Sequence, residues 1–166
     1  MPVQLSEPTV AGRDARPYVG IRAVVTMATI GEVVPELVGE VLGRVGSGPG
    51  TGAVFVRYDV IDMERQLVIE VGVPVAEPVP AEGRLVGGVL PAGRYLCATH
   101  RGHYDTLEEA TGQFLTWAAE HGQVFDVRPG DGGDVWGCRL EHYLTDPAAE
   151  PDPQRWETVL EFRLRD

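Results

Sequence analysis

One order of elements occurs twice along this chain and constrains its fold more than any other feature: a β-rich run, an amphipathic helix, then two more β-rich runs. In the first copy, residues 18–27 are rich in β-branched side chains and predict a strand. Residues 33–45 predict a helix, with Val34, Leu37, Val38, Val41, Leu42 and Val45 spaced by three and four. Pro35 is tolerable only in its first turn. Residues 53–61 and 66–75 follow as strands, and the second alternates so that Leu67, Ile69, Val71, Val73 and Val75 share one face. In the second copy, residues 94–101 predict a strand and residues 105–121 a helix, with Asp105 as N-cap, Glu108 three places on and Gly122 at the C-terminal end. Residues 134–144 and 157–165 predict the closing strands, and residues 84–90 a strand between the copies. Arg57-Tyr58-Asp59 aligns with Arg139-Leu140-Glu141, and residues 71–75 align with 160–164, as a duplication requires.

The expected architecture is α+β. Two pseudo-twofold β-α-β-β units, about residues 18–76 and 84–166, join their antiparallel sheets, with both helices on one face and a ligand cleft at the centre. Residues 1–17 are expected to be a flexible arm. The glycine-rich segment 46–52 lacks the Lys-Ser/Thr pair of a phosphate loop, and the Pro-bearing segment 76–83 reads as an internal linker.

The 166 residues fit one domain, and 14 basic residues against 25 acidic ones give a net charge of −11. That charge repels phosphate backbones, so direct nucleic-acid binding is not expected and cations are the natural partners. Cys97 and Cys138 read as small core residues in a reducing compartment, which predicts a cytoplasmic location. The polar first sixteen residues are not expected to be a signal peptide, and no long unbroken apolar run predicts a membrane span. His100 and His103 lack a third ligand at a telling spacing, and Ser6 and Ser47 lie outside any nucleophile elbow. No metal or cofactor is expected.

Three segments carry a family resemblance. THRGHYDTL at 99–107, leading into a helix with Trp117, resembles the "H-x-G-x-Y-x-x-L" entry to the second helix of gyrase-inhibitor-like (GyrI-like) proteins. LEHYLTDP at 140–147 resembles that family's "E-x-Y-L-x-D-P", and VIEVGVPV at 68–75 its "V-E-V-G-I-P-V" strand. WETVLEFRL at 156–164 departs from the usual last strand, with Val159 where a Glu is common. The resemblance implies a small-molecule-binding fold shared with effector domains of multidrug-sensing transcription activators. In those domains a buried glutamate among aromatic rings accepts lipophilic organic cations, and Glu141 is the matching position here. It also implies two alternatives. One is a hydrolase of strained, cyclopropane-bearing natural products with the same glutamate as general base. The other is an inhibitor protein that contacts DNA gyrase.

A lipophilic cation needs apolar area and a countercharge where water is excluded, and aromatic faces add attraction. On strand 134–144, parity groups Glu141 with Arg139 and Tyr143, against Trp136, Cys138, Leu140, His142 and Leu144. The second, more apolar set is expected to pack on the helices, leaving Glu141 and Tyr143 in a cleft on the other face. Trp136, at the strand's start, is expected at the rim. Tyr104, Phe55, Tyr58 and Met27 are expected as further walls, with Glu70 on the cleft side of its own strand.

Overall fold

The computed structural model describes residues 3–45, 52–77 and 83–166; the glycine-rich segment and the Pro-bearing linker lie mostly outside these. The chain begins with β1 (Gln4–Leu5), β2 (Thr9–Arg13) and β3 (Arg16–Val25), then α1 (Ile30–Val45). β4 (Phe55–Ile61), β5 (Leu67–Pro74), β6 (Val86–Leu90) and β7 (Gly93–Arg101) follow. A 3-10 turn (Tyr104–Thr106) leads into α2 (Leu107–Glu120). β8 (Val127–Gly130), β9 (Gly133–Trp136), β10 (Arg139–Tyr143) and β11 (Glu157–Arg163) complete the chain.

All strand pairings are antiparallel, in the order β1-β7-β11-β10-β4-β5-β3-β6. β2 also pairs with β7, and the β8–β9 hairpin extends from β4. The repeated unit is therefore β3-α1-β4-β5 and β7-α2-β10-β11, and the halves meet where β10 pairs with β4. There Glu141 faces Val56; Val56 also faces Val71, and Glu141 also faces Leu160. Val56 and Glu141 are thus counterparts, and so are Tyr58 and Tyr143. The alignment of Arg57-Tyr58-Asp59 with Arg139-Leu140-Glu141 is displaced by three residues, whereas that of 71–75 with 160–164 follows the pairing.

The sheet curls strongly, and the connectivity requires it. β6 and β7 stand near opposite ends of the strand order, yet only Pro91 and Ala92 join them. On the face away from the helices, Arg16 of β3 reaches Glu161 of β11 at 2.5 Å and lies over the Tyr95 ring. Tyr18, Phe55, Leu90, Tyr95, Cys138 and Leu140 form the apolar core of that face. The helix-bearing face holds two further cores, one built on Leu37 and Val41 of α1, the other on Phe114 and Ala118 of α2. α1 rests on β3 and β5, and α2 on β7. Between them the central strands β4 and β10 are left uncovered.

Several local expectations change. Residues 4–13 are not a free arm: β1 and β2 both add to β7. α1 starts at Ile30, placing Pro35 within the helix. Thr26 and Thr29 explain the early start, since each hydroxyl accepts the other's backbone N–H and the turn feeds Ile30 N–H to Thr26 O. Asp105 does not cap α2; its N–H donates to His103 Nδ1, which caps the 3-10 turn instead. Gly122 does end α2, with φ +69°, and Gln123 N–H reaches Ala118 O at 2.9 Å in a Schellman arrangement. The strand expected over 134–144 breaks at Gly137 and Cys138 into β9 and β10, opposite a register shift between Tyr58 and Val60 of β4.

Glu161 ties the two ends of the sheet together. Burial alone would push its carboxyl up, but the Arg16 hydrogen bond and the His142 ring nitrogen at 3.6 Å outweigh burial and hold it at about 2. A depressed carboxyl stabilises the fold above its ordinary value of 4.5 and loses that contribution as pH falls toward 2. Glu161→Gln is therefore expected to be less stable than the parent protein at pH 7 by on the order of 3 kcal/mol in urea unfolding. The gap should narrow as pH drops below the ordinary carboxyl range; a gap that does not change with pH contradicts this account.

Candidate functional site

The uncovered middle of the helix-bearing face is a cavity of about 870 Å³ between α1 and α2. Its walls are Val34, Val38 and Leu42 of α1 and Leu107, Thr111 and Leu115 of α2; its floor is Tyr58, Arg139, Glu141 and Tyr143. The apolar stripe of α1 is wider than the sheet contact needs. Leu37 and Val41 bury themselves against the strands, while the flanking positions turn toward open space. At the mouth, Met27, Leu42, Met63 and Leu144 are each exposed by 38–52%. Large apolar side chains gathered around one opening are a mark of a ligand or partner site. Glu108 and Asp146 add acidic groups to the lining.

Glu141 is only 7% exposed. Its Oε1 accepts two hydrogen bonds, from the Tyr58 and Tyr143 hydroxyls, each at 2.9 Å. The duplication thus delivers one tyrosine from each half to a single carboxylate oxygen. Among the described residues, none donates a hydrogen bond to Oε2. Burial pushes the Glu141 carboxyl up; the two hydroxyls and nearby Arg139 pull it back. Burial, and then Glu141 itself, pushes both tyrosines well above their ordinary range, so they remain donors. Arg139 lies 4.6 Å from the ring centroids of Trp136 and Phe162 and 5.7 Å from that of Tyr58.

Glu141, Tyr143, Tyr104, Tyr58 and Met27 come together around this cavity. Tyr104 meets Tyr143 edge-on at 5.6 Å and Trp156 at 5.0 Å. Trp136 is not part of the lining; it supports Arg139 from below and packs on Phe162 and Phe125. Phe55 and Glu70 lie on the opposite face. Phe55 packs edge-on against Tyr18 and His142. Glu70 accepts the Tyr18 hydroxyl at 2.5 Å; burial and then the neighbouring Glu70 push Asp59 up, while Asp59 and the Tyr18 hydroxyl help hold Glu70 down against its burial. The cleft was expected on the face away from the helices, and that placement is corrected. Curling closes that face over Cys138 and Leu140, while the helices stand apart and leave the other face open.

Sequence reasoning put Arg139 on the face of Glu141 but did not include it in the site. The signal was parity. What parity could not give is the break at Gly137 and Cys138, which brings Trp136 beneath the guanidinium. Among the described residues no group of three His, Cys, Asp or Glu could hold a metal ion, and no helix is long and apolar enough to cross a membrane.

A curled antiparallel sheet with two helices flanking a central cavity defines a small-molecule-binding α+β domain. Residues 6–165 match the GyrI-like small molecule binding domain family, and the chain belongs to it. No curated protein matches the chain. Solved structures share the fold. The EcmrR C-terminal domain superposes with a TM-score of 0.70 at 17% identity, over 100% of this chain and 99% of that one. In a cryo-EM structure of an EcmrR–DNA complex the TM-score is again 0.70, and this chain spans 57% of the length of that EcmrR chain. SAV2435 bound to tetraphenylphosphonium gives 0.66 at 7% identity, over 96% of this chain and 94% of that one. A hydrolase from Listeria innocua gives 0.59 at 12% identity, over 96% and 92%.

The two hydroxyls lower the Glu141 carboxyl. Tyr143→Phe is therefore expected to raise the midpoint of its titration, followed by the side-chain carboxyl carbon in NMR with labelled glutamate. An unchanged midpoint contradicts the assigned hydrogen bonds.

Proposed function

We propose that this protein binds lipophilic, often cationic, aromatic compounds in the cavity between its helices, and so sequesters or senses them. The observation that carries the reading is a carboxylate buried at the floor of an apolar cavity, with an exposed apolar mouth. A buried carboxylate is costly in isolation, and an entering organic cation offsets that cost. The Tyr58, Tyr143 and Tyr104 rings line the cavity, and a ring face presented to the cation is worth about 0.5 to 2 kcal/mol when desolvated. The tetraphenylphosphonium bound by SAV2435 belongs to this ligand class.

A second reading is a hydrolase in which Glu141 draws a proton from water as it attacks a strained ring. The free Oε2 favours it, since one oxygen is held by hydroxyls while the other is available as a base. The readings separate on turnover: a binder returns a cyclopropane-bearing compound unchanged, and a hydrolase returns it heavier by one water.

The test of binding is a fluorescence titration with rhodamine 6G, a cationic ester dye. Micromolar binding is expected, with a loss of roughly 1 to 3 kcal/mol in Glu141→Gln. Equal binding by both proteins removes Glu141 as the countercharge.

A further inference from the structure

The cavity floor carries a cation as well as a carboxylate. Arg139 stands two residues before Glu141 on β10, so both side chains leave the same face and both line the cavity. Its guanidinium is held between rings: Trp136 and Phe162 at 4.6 Å and Tyr58 at 5.7 Å. Rings support the charge, but they satisfy none of its N–H donors. Among the described residues Arg139 makes no hydrogen bond and no ion pair within 4 Å, and its Nε is buried without a partner. The Nε of Arg16 and of Arg57 is likewise without a hydrogen bond, but those guanidiniums have a carboxylate beside them, as Arg163 does: Arg57 has Asp59, Arg16 has Glu161 and Arg163 has Asp126. A guanidinium has five donors in a fixed fork, and leaving buried donors unmade is expensive unless something else fills them. Burial weakens the hold of Arg139 on its proton, and Glu141 and Tyr58 oppose that effect.

We propose that Arg139 is a second recognition point, and that the cavity selects lipophilic cations that also carry a carboxylate or another strongly accepting oxygen. The cationic part faces Glu141, and the accepting oxygen takes the free N–H groups of Arg139. Glu108 and Asp146 in the lining disfavour a simple anion. A ligand with both charges passes that acidic lining on its cationic part and then satisfies both floor groups. The proposal rests on the binding reading above and adds the class of ligand to it.

The test compares rhodamine B, whose xanthylium cation carries a free carboxylate, with its ethyl ester, in which that oxygen is masked. Both dyes are titrated into the full chain at neutral pH, by fluorescence and by calorimetry. The parent protein is expected to bind the acid about tenfold more tightly than the ester. Arg139→Met, which keeps an unbranched side chain against the rings, is expected to abolish the preference while still binding the ester. Glu141→Gln is expected to weaken both dyes. Equal binding of acid and ester by the parent protein, or tighter binding of the ester, overturns the proposal without touching the binding reading, and needs no variant. A preference that survives in folded Arg139→Met also overturns it. Failure of the parent protein to bind either dye overturns the binding reading and this proposal together.

Discussion

The antiparallel pairing of β4 with β10 is the contact on which the site depends. It joins the two halves, and it sets Glu141 opposite Val56 on the helix-bearing face. Because those residues are counterparts, the tyrosines two places on in each strand, Tyr58 and Tyr143, converge on one carboxylate oxygen. Neither half alone supplies both donors. The same pairing determines where space is left, since each helix covers the outer strands of its own half and the central pair lies between them.

The two faces of the sheet handle charge differently. On the face away from the helices, the buried carboxylates find donors within the protein: Glu161 has Arg16 and Arg13, and Glu70 has Tyr18. These contacts hold a curled sheet closed. On the helix-bearing face the matching is incomplete. Glu141 has one oxygen engaged, and Arg139 has rings in place of acceptors. Buried groups left partly unsatisfied beside a cavity are suited to being completed by a ligand.

Much of the fold is legible in the sequence because periodicity reports it. The alternation from Leu67 to Val73 and the three-and-four spacing in both helices survive in the structure. The two N-terminal strands and β8 were not legible. They are short, largely exposed edge segments, β1 of only two residues and β2 and β8 containing glycine or proline, and their pairing with β7 and β9 comes from tertiary context. The face of the cavity was misread for a different reason. In β10, Leu140, Glu141 and His142 are all buried, so polarity alone does not say which side meets the helices. Only the closure of the sheet over Cys138 and Leu140 decides it. Trp136 follows the same lesson, since an irregularity at Gly137 sets its side chain beneath Arg139, which no alternation rule foresees.

In the proposed function, Glu141 is the fixed point toward which an organic cation is drawn, within walls supplied by both helices. The most direct test is to locate such a cation. Crystals soaked with tetraphenylarsonium, whose arsenic scatters anomalously, report its position without reliance on a dye or a variant. The account predicts an arsenic peak between α1 and α2, with a phenyl ring near Tyr58 or Tyr143 and the cation centre facing the Glu141 carboxylate. Arsenic only on the outer surface, or on the face of Glu70 and Phe55, contradicts it.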